Sequence, residues 1–163
     1  MTGLRVGHGF DAHRLVAGRK LFLGGVEVPC DRGLEGHSDG DCLLHAVCDA
    51  LLGAAAAGDM GQHFPSSDER WRNASSATFL AEAKRVVQEK GYLVENVDAT
   101  VIAQEPRLAA HLDQIRETLS RHLGLDRDAV SVKAKSPDGL GAIGRAEGIA
   151  AQATVLLKKK GAS

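Results

Sequence analysis

The chain reads as an α/β protein of the α+β type, a two-layer sandwich whose mixed β-sheet carries its helices on one face. Three observations predict this. Segments of strand character open and close the chain, at 4–10 and 148–157, so the sheet must join distant pieces of sequence. Amphipathic helical stretches lie between them, each with one apolar face. The 163 residues, 44% hydrophobic and 25% charged, suit a single domain over 1–163 with a proper core. The other face of such a sheet needs a cover, and the apolar last strand points to further copies of the chain.

Taken in order, residues 4–10 are the first strand, and strand character extends through RVGHGFDAHRL, 5–15. A period of two puts Asp11 and His13 on one side and His8 on the other. A turn through Ala17, Gly18 and Arg19 leads to LFLGGVEV, 21–28, which predicts a second strand, and 29–38 is loop. GHSDGDCLLHAVCDALLGAAAAGDMG, 36–61, predicts one helix, capped by Ser38 or Asp39 and stopped at Gly58. Leu43, Leu44, Val47, Leu51 and Leu52 form its apolar face. Asp41, His45 and Asp49 fall four apart on one polar stripe.

The polar stretch 58–71 predicts a functional or mobile loop. Residues 75–90 predict an amphipathic helix with Phe79, Leu80, Ala83, Val86 and Val87 inward and Gly91 as its stop. A strand lies within 92–104. Pro106 opens the next helix at its first turn, and that helix carries Leu108, Leu112, Ile115, Leu119 and Leu123 up to Gly124. VSVKAK, 130–135, is a strand, and SPDGLGAIGRAE is the loop before the last one. There is no internal repeat, linker or low-complexity tract.

The formal net charge of −1 gives no global attraction to nucleic acid or to an anionic membrane. The KKK run at 158–160 is a solvated tail. No signal-type apolar stretch opens the chain, and the longest apolar run, around 50–57, is too short to span a bilayer. Cys30, Cys42 and Cys48 are odd in number and lack CxxC spacing, which suits reduced thiols in a cytoplasmic protein. The 19 glycines cluster beside polar residues and predict close backbone approach to a ligand.

On the long helix alone, the polar stripe reads as a solvated edge carrying a satisfied histidine. The first strand changes that reading. Asp11 and His13 offer an oxygen and a nitrogen side by side, and His45 on a helix packed across them is a third donor. One carboxylate and two imidazoles with a free position make the donor set of a catalytic zinc site. The same set serves non-haem iron as a facial triad, although the order usual there is reversed and no jelly-roll pattern accompanies it. A closed structural site would need a fourth ligand, for which Asp49 is the nearest candidate; otherwise Asp49 orients His45 or another group around the centre. His37, Ser38 and Asp39 stand at a helix N-terminus, which favours anions. KAKSPDGLGAIGR adds Lys133, Lys135, Ser136 and Arg145 as anion partners without Walker order. A metal centre, a helix N-terminus and a basic loop together point to a phosphorylated substrate.

HGFDAHRL, then GLEGHSDGDCLLHAVCDALLGAAAAGDMGQHFPSSD, then GRAEGIAAQA closely resemble the 2-C-methyl-D-erythritol 2,4-cyclodiphosphate synthase family of non-mevalonate isoprenoid synthesis, over nearly the whole chain. The resemblance implies a lyase that converts 4-diphosphocytidyl-2-C-methyl-D-erythritol 2-phosphate to the cyclic diphosphate and CMP. It implies zinc or another divalent cation on Asp11, His13 and His45, with magnesium or manganese on the substrate diphosphate.

Carried over by position, His37 and Ser136 act on phosphate, with Ser38 beside His37 and Ser136 standing where relatives commonly have threonine. Asp59, Gly61 and Asp68 match positions that hold the methylerythritol portion. Ala103, Pro106, Arg107 and Leu108 match the cytidine pocket. Asp138 stands where relatives commonly have a magnesium-holding glutamate, and Lys135 flanks that loop. Ala142 replaces an aromatic that often lines a central channel, and Arg145 matches a channel arginine linked with a phosphorylated isoprenoid. A homotrimer with active sites between subunits is implied, and no fused cytidylyltransferase domain fits this length. A reading of another class is a trimeric module that only binds isoprenoid phosphates, from which release of CMP distinguishes the enzyme.

Overall fold

Alternation along the first segment decides which way the sheet faces. In the computed structural model, which describes residues 3–161, β1 (Leu4–Ala17) is one continuous strand. Its Gly7 and Gly9 are buried on one side, whereas Leu4, Val6 and Phe10 are exposed on the other. The segment predicted as one strand over 21–28 is instead a hairpin of β2 (Leu21–Leu23) and β3 (Val26–Val28). Gly24 and Gly25 both take positive φ, 63° and 79°, as the tight two-residue turn of a hairpin demands. The predicted loop 29–38 contains β4 (Arg32–Leu34), which pairs antiparallel with the end of β1.

α1 (Cys42–Ala54) is shorter than predicted. It ends at Ala54 with Ala55 as its cap, ahead of Gly58, and its N-cap is Asp41 in place of Ser38 or Asp39. The buried Asp41 carboxylate accepts from Leu44 N at 3.0 Å, Gly24 N at 2.9 Å and Gly25 N at 2.7 Å. It therefore ties the hairpin turn to the start of the helix and leaves the stripe shared with His45 and Asp49. The anion site predicted at this helix N-terminus is filled by the chain's own carboxylate.

The polar loop holds α2 (Met60–His63) and a 3-10 turn, Glu69–Trp71. α3 (Ser76–Glu89) follows its cap Ser75, and β5 (Tyr92–Ile102) returns to the sheet. Pro106 does not open the next helix. Its bond to Glu105 is cis, 103–108 stays irregular, and α4 (Leu112–Leu123) starts after a 3-10 turn at Ala109–His111. β6 (Val130–Lys135) precedes α5 (Gly141–Gly144), a short helix inside the predicted loop, and β7 (Gly148–Lys159) closes the sheet.

The strands lie in the order β4-β1-β7-β5-β6, with β5 and β6 parallel and the other pairs antiparallel. β7 runs through the middle, and its Ile149, Ala151, Ala153, Val155 and Leu157 are buried toward the helices. α1 lies across β1 and β7, and α3 and α4 complete the layer over β5 and β6. The same face of the sheet carries Asp11 and His13, in register with Ala151 and Ile149 of β7. No helix among the described residues is long and apolar enough to cross a membrane. The three cysteines are free, with Cys42 and Cys48 buried.

Contact between α1 and β1 is made by backbone. A Cβ on Gly9 would lie 2.0 Å from the Ala46 carbonyl oxygen, and one on Gly7 would lie 2.0 Å from that of Ala50. Ala46, Ala50 and Ala54, four apart, present the small side chains that permit this approach. The close approach expected of a ligand is here made by a helix. Gly9→Ala should destabilise the fold by about 3 kcal/mol through overpacking. Gly53→Ala, whose Cβ meets nothing nearer than the His8 carbonyl at 4.0 Å, is the control and should be neutral or stabilising. Urea midpoints of the two variants check the contrast.

Candidate active site

Where α1 crosses β1, two imidazoles meet one carboxylate oxygen. His13 Nε2 is 2.7 Å and His45 Nδ1 2.9 Å from Asp11 Oδ2, and the two ring nitrogens are 3.2 Å apart. Strand alternation aims Asp11 and His13 the same way, and His45 descends from the first turn of α1. Among the described residues this is the one group of three such side chains able to hold a metal ion.

The outward-facing nitrogens fix the tautomers. His13 Nδ1 faces the Glu35 carbonyl at 2.5 Å, so it must carry the proton and donate. Ser76 Oγ donates to the Asp39 carboxylate, which leaves its lone pair to accept from His45 Nε2–H at 2.8 Å. Both neutral rings therefore aim an electron pair, and Asp11 a negative charge, at one point. A metal cation satisfies that arrangement, as does, without metal, a proton on His13 Nε2 donated to Asp11; the pinned outer nitrogens are those a metal-ligating histidine requires. A tetrahedral ion would set such donors about 3.3 Å apart, as the two ring nitrogens nearly are at 3.2 Å, while Asp11 Oδ2 lies nearer them at 2.7 and 2.9 Å. The residues fit a divalent metal with a free position.

An aromatic cluster roofs the centre. Phe79 lies 6.0 Å from the His45 ring and packs on Phe64 and Trp71 at 4.7 and 5.5 Å between centroids. Beneath it His13, His37, Ser38 and His45 line a cavity of about 180 Å³ with Met60, Phe64, Ser66, Trp71 and Phe79. Ser38 Oγ lies 3.3 Å from His45 Nε2. His37 Nε2 and Trp71 Nε1 are buried without a hydrogen-bond partner, a costly state that a bound group would relieve.

A second cavity, of about 540 Å³, is lined by Ala103, Gln104, Pro106, Arg107, Leu108, Ala109, Ala134, Lys135, Ser136 and Asp138. It shares no lining residue with the first. Its loop is held by Gln104, whose Oε1 accepts from Gly139 N at 2.9 Å and Ser136 Oγ at 3.3 Å.

Other predicted positions lie apart from both cavities. Asp59 caps α2, Gly61 lies within that helix, and Asp68 pairs with Arg70 at 2.6 Å. Lys133 is paired with Asp98 at the surface. Ala142 sits on α5, and Arg145 pairs with Glu147 at 2.7 Å. Asp49 accepts from Met60 N at 2.8 Å and does not orient His45. Ser76 and Asp39 do that. The signal for Ser76 was two adjacent serines at a helix start where one suffices as cap.

The sequence pattern of the YgbB family matches residues 4–158. The chain belongs to the YgbB family. It is 54% identical over 156 residues to the 2-C-methyl-D-erythritol 2,4-cyclodiphosphate synthase of Syntrophomonas wolfei, covering 96% of this chain and 99% of that one. The bifunctional IspDF of Campylobacter jejuni superimposes with a TM-score of 0.92 at 40% identity, over 96% of this chain and 42% of that longer one. IspF of Plasmodium falciparum, solved with CDP, gives 0.86 at 35% identity over 98% and 99%.

Charge in this YgbB-family centre is strongly biased. Burial by itself raises the Asp11 pKa, but hydrogen bonds and charge from His13 and His45 more than reverse this and hold the carboxyl well below its usual range. Burial lowers that of His13, while Asp11 and the Glu35 carbonyl outweigh it and raise the ring. A raised His13 pKa stabilises the fold below the unfolded value of about 6.5 and loses that effect as pH rises through the folded value. The lowered Asp11 pKa stabilises above its unfolded value of about 4 and is lost as pH falls through the folded one.

The metal-free protein should thus melt at a lower temperature at about pH 8.5 than at about pH 5.5, and zinc should remove the alkaline loss. Melting curves with chelator and with zinc check this; a metal-free curve without the alkaline fall would contradict it. His45→Ala should abolish divalent binding, and Ser76→Ala should weaken it about tenfold or more, measured by competition with a chromophoric chelator.

Proposed function

We propose that this chain catalyses metal-dependent intramolecular phosphoryl transfer, converting 4-diphosphocytidyl-2-C-methyl-D-erythritol 2-phosphate to 2-C-methyl-D-erythritol 2,4-cyclodiphosphate and CMP in isoprenoid precursor synthesis. The observation that carries the reading is the Asp11, His13 and His45 centre, with its free position and the buried unpartnered His37 beside it. The synthase name of close relatives and the CDP bound in the Plasmodium falciparum structure support it.

The two cavities are each half of what the substrate needs. The nucleotide end would occupy Ala103, Pro106, Arg107 and Leu108, and the phosphates would reach a metal centre in a neighbouring subunit. The exposed Leu4, Val6 and Phe10 support a homotrimer closed through the bare sheet face. Arg145 and Ala142 would line a channel there for an isoprenoid phosphate. Asp59, Gly61 and Asp68 would hold the methylerythritol portion. The three free thiols suit the reducing cytoplasm.

Bound zinc, or another divalent ion, would supply Lewis acidity toward a phosphate oxygen, as would magnesium or manganese on the diphosphate near Asp138. The attacking oxygen belongs to the substrate's own 2-phosphate and is ionised near neutral pH. It forms a bond to the β-phosphorus as the bond from that phosphorus to the bridging oxygen breaks, and CMP leaves with the bridging oxygen. No protein base is required. Ser38 is not an activated nucleophile, because the facing His45 nitrogen is committed as a donor to Ser76. His37 and Ser136 would donate to phosphate oxygens as charge shifts. Holding both phosphates in line can supply about 7–11 kcal/mol.

The test is CMP release from the diphosphocytidyl substrate. One CMP per cyclic product is expected, and chelation should abolish it. Ser136→Ala should lower kcat more than it weakens CMP binding. Failure of the metal-replete protein to release CMP would favour an isoprenoid-phosphate-binding module.

A further inference from the structure

His37 sits in a stretch, 35–41, without regular structure. Such a segment keeps one conformation only if its backbone is bound from outside. Three successive carbonyls are. Arg19 Nη1 donates to Gly36 O at 3.0 Å, Arg19 Nη2 donates to Ser38 O at 2.7 Å, and Asn73 N donates to the His37 carbonyl at 2.8 Å. The fork of one guanidinium thus spans His37. Arg19 is half-buried in the connection between β1 and β2. Among the described residues no carboxylate pairs with it, so both its close contacts are backbone carbonyls.

We infer that Arg19 is a positioning residue for the transfer proposed above: its planar fork holds the His37 and Ser38 side chains at the metal cavity. Two carbonyls at a fixed separation match two parallel N–H groups, which the point charge of lysine cannot reproduce. Arg19 does not line the second cavity, so nucleotide binding there is independent of it.

Arg19→Ala and Arg19→Lys should each lower kcat at least about tenfold, since small misplacement of a reacting group is costly. CMP affinity should stay within about threefold of the parent in both variants, and divalent affinity in Arg19→Lys, which keeps the positive charge that bears on His13. In a His37→Ala/Ser38→Ala background, adding Arg19→Ala should lower kcat by less than about threefold, because both groups it positions are gone. A full tenfold loss in both backgrounds, or a loss confined to melting temperature or CMP affinity, overturns the assignment.

A second measurement needs no turnover. In nitrogen-labelled protein the His37 ring resonances should move in Arg19→Ala and Arg19→Lys while those of His63 and His122 stay in place. Unmoved His37 signals overturn the inference whatever the kinetics. A parent protein that releases no CMP overturns the proposed reaction instead, and the resonances still decide the role of Arg19.

Discussion

The contact on which this molecule turns is the seating of α1 against β1 with no side chain between them. At Gly7 and Gly9 the strand offers bare backbone, and the helix meets it with the carbonyls of Ala50 and Ala46. Interiors pack densely and do not deform smoothly, so an added methyl would lift the helix as a body. His45 rides on that helix one residue from Ala46, while Asp11 follows Gly9 by two on the strand. The three-donor centre exists because the closest approach of two elements lies next to it.

Around that seat, hydrogen bonds convert proximity into chemistry. The Glu35 carbonyl and the Ser76 hydroxyl each take a proton-bearing nitrogen, so both rings present electron pairs inward. Asp41 ties the glycine turn of the β2–β3 hairpin to the helix start. Phe64, Trp71 and Phe79 cover the centre with apolar surface, which lowers the local dielectric and strengthens the pull of the donor set on a cation.

The second cavity belongs to a different part of the fold, the irregular stretch after β5 and the loop after β6, which lie side by side because those strands are parallel neighbours. The two cavities share no wall in one chain, and the bare apolar strip of Leu4, Val6 and Phe10 lies on the sheet face opposite the metal centre.

Much was legible from local pattern. Period two along 5–15 put Asp11 and His13 together and His8 opposite. Helical spacing picked out Leu43, Leu44, Val47, Leu51 and Leu52, all fully buried, and Leu80, Ala83, Ile115 and Leu119 on α3 and α4, whereas the predicted Val86 and Leu112 are only partly buried. Local pattern misled where one residue had several uses for its bonds. Asp41 looked like a member of a polar stripe and is a buried cap. Gly24 and Gly25 looked like strand interior and are a turn. Asp49 looked like a partner of His45 and anchors Met60 instead. Asp41 also binds the Gly24 amide 17 residues away, Asp49 binds Met60 11 residues away, and the chain reverses between two short apolar runs at Gly24 and Gly25; periodicity carries no information about any of these.

The sequence alone determined that Asp11 and His13 stand together, since residues two apart on a strand share a face; the fold added His45. Tertiary structure decided what those donors mean. Which proton each ring keeps, which carbonyls Arg19 grips, and whether His37 is paired all depend on groups brought in from distant segments, and only the folded chain sets those distances.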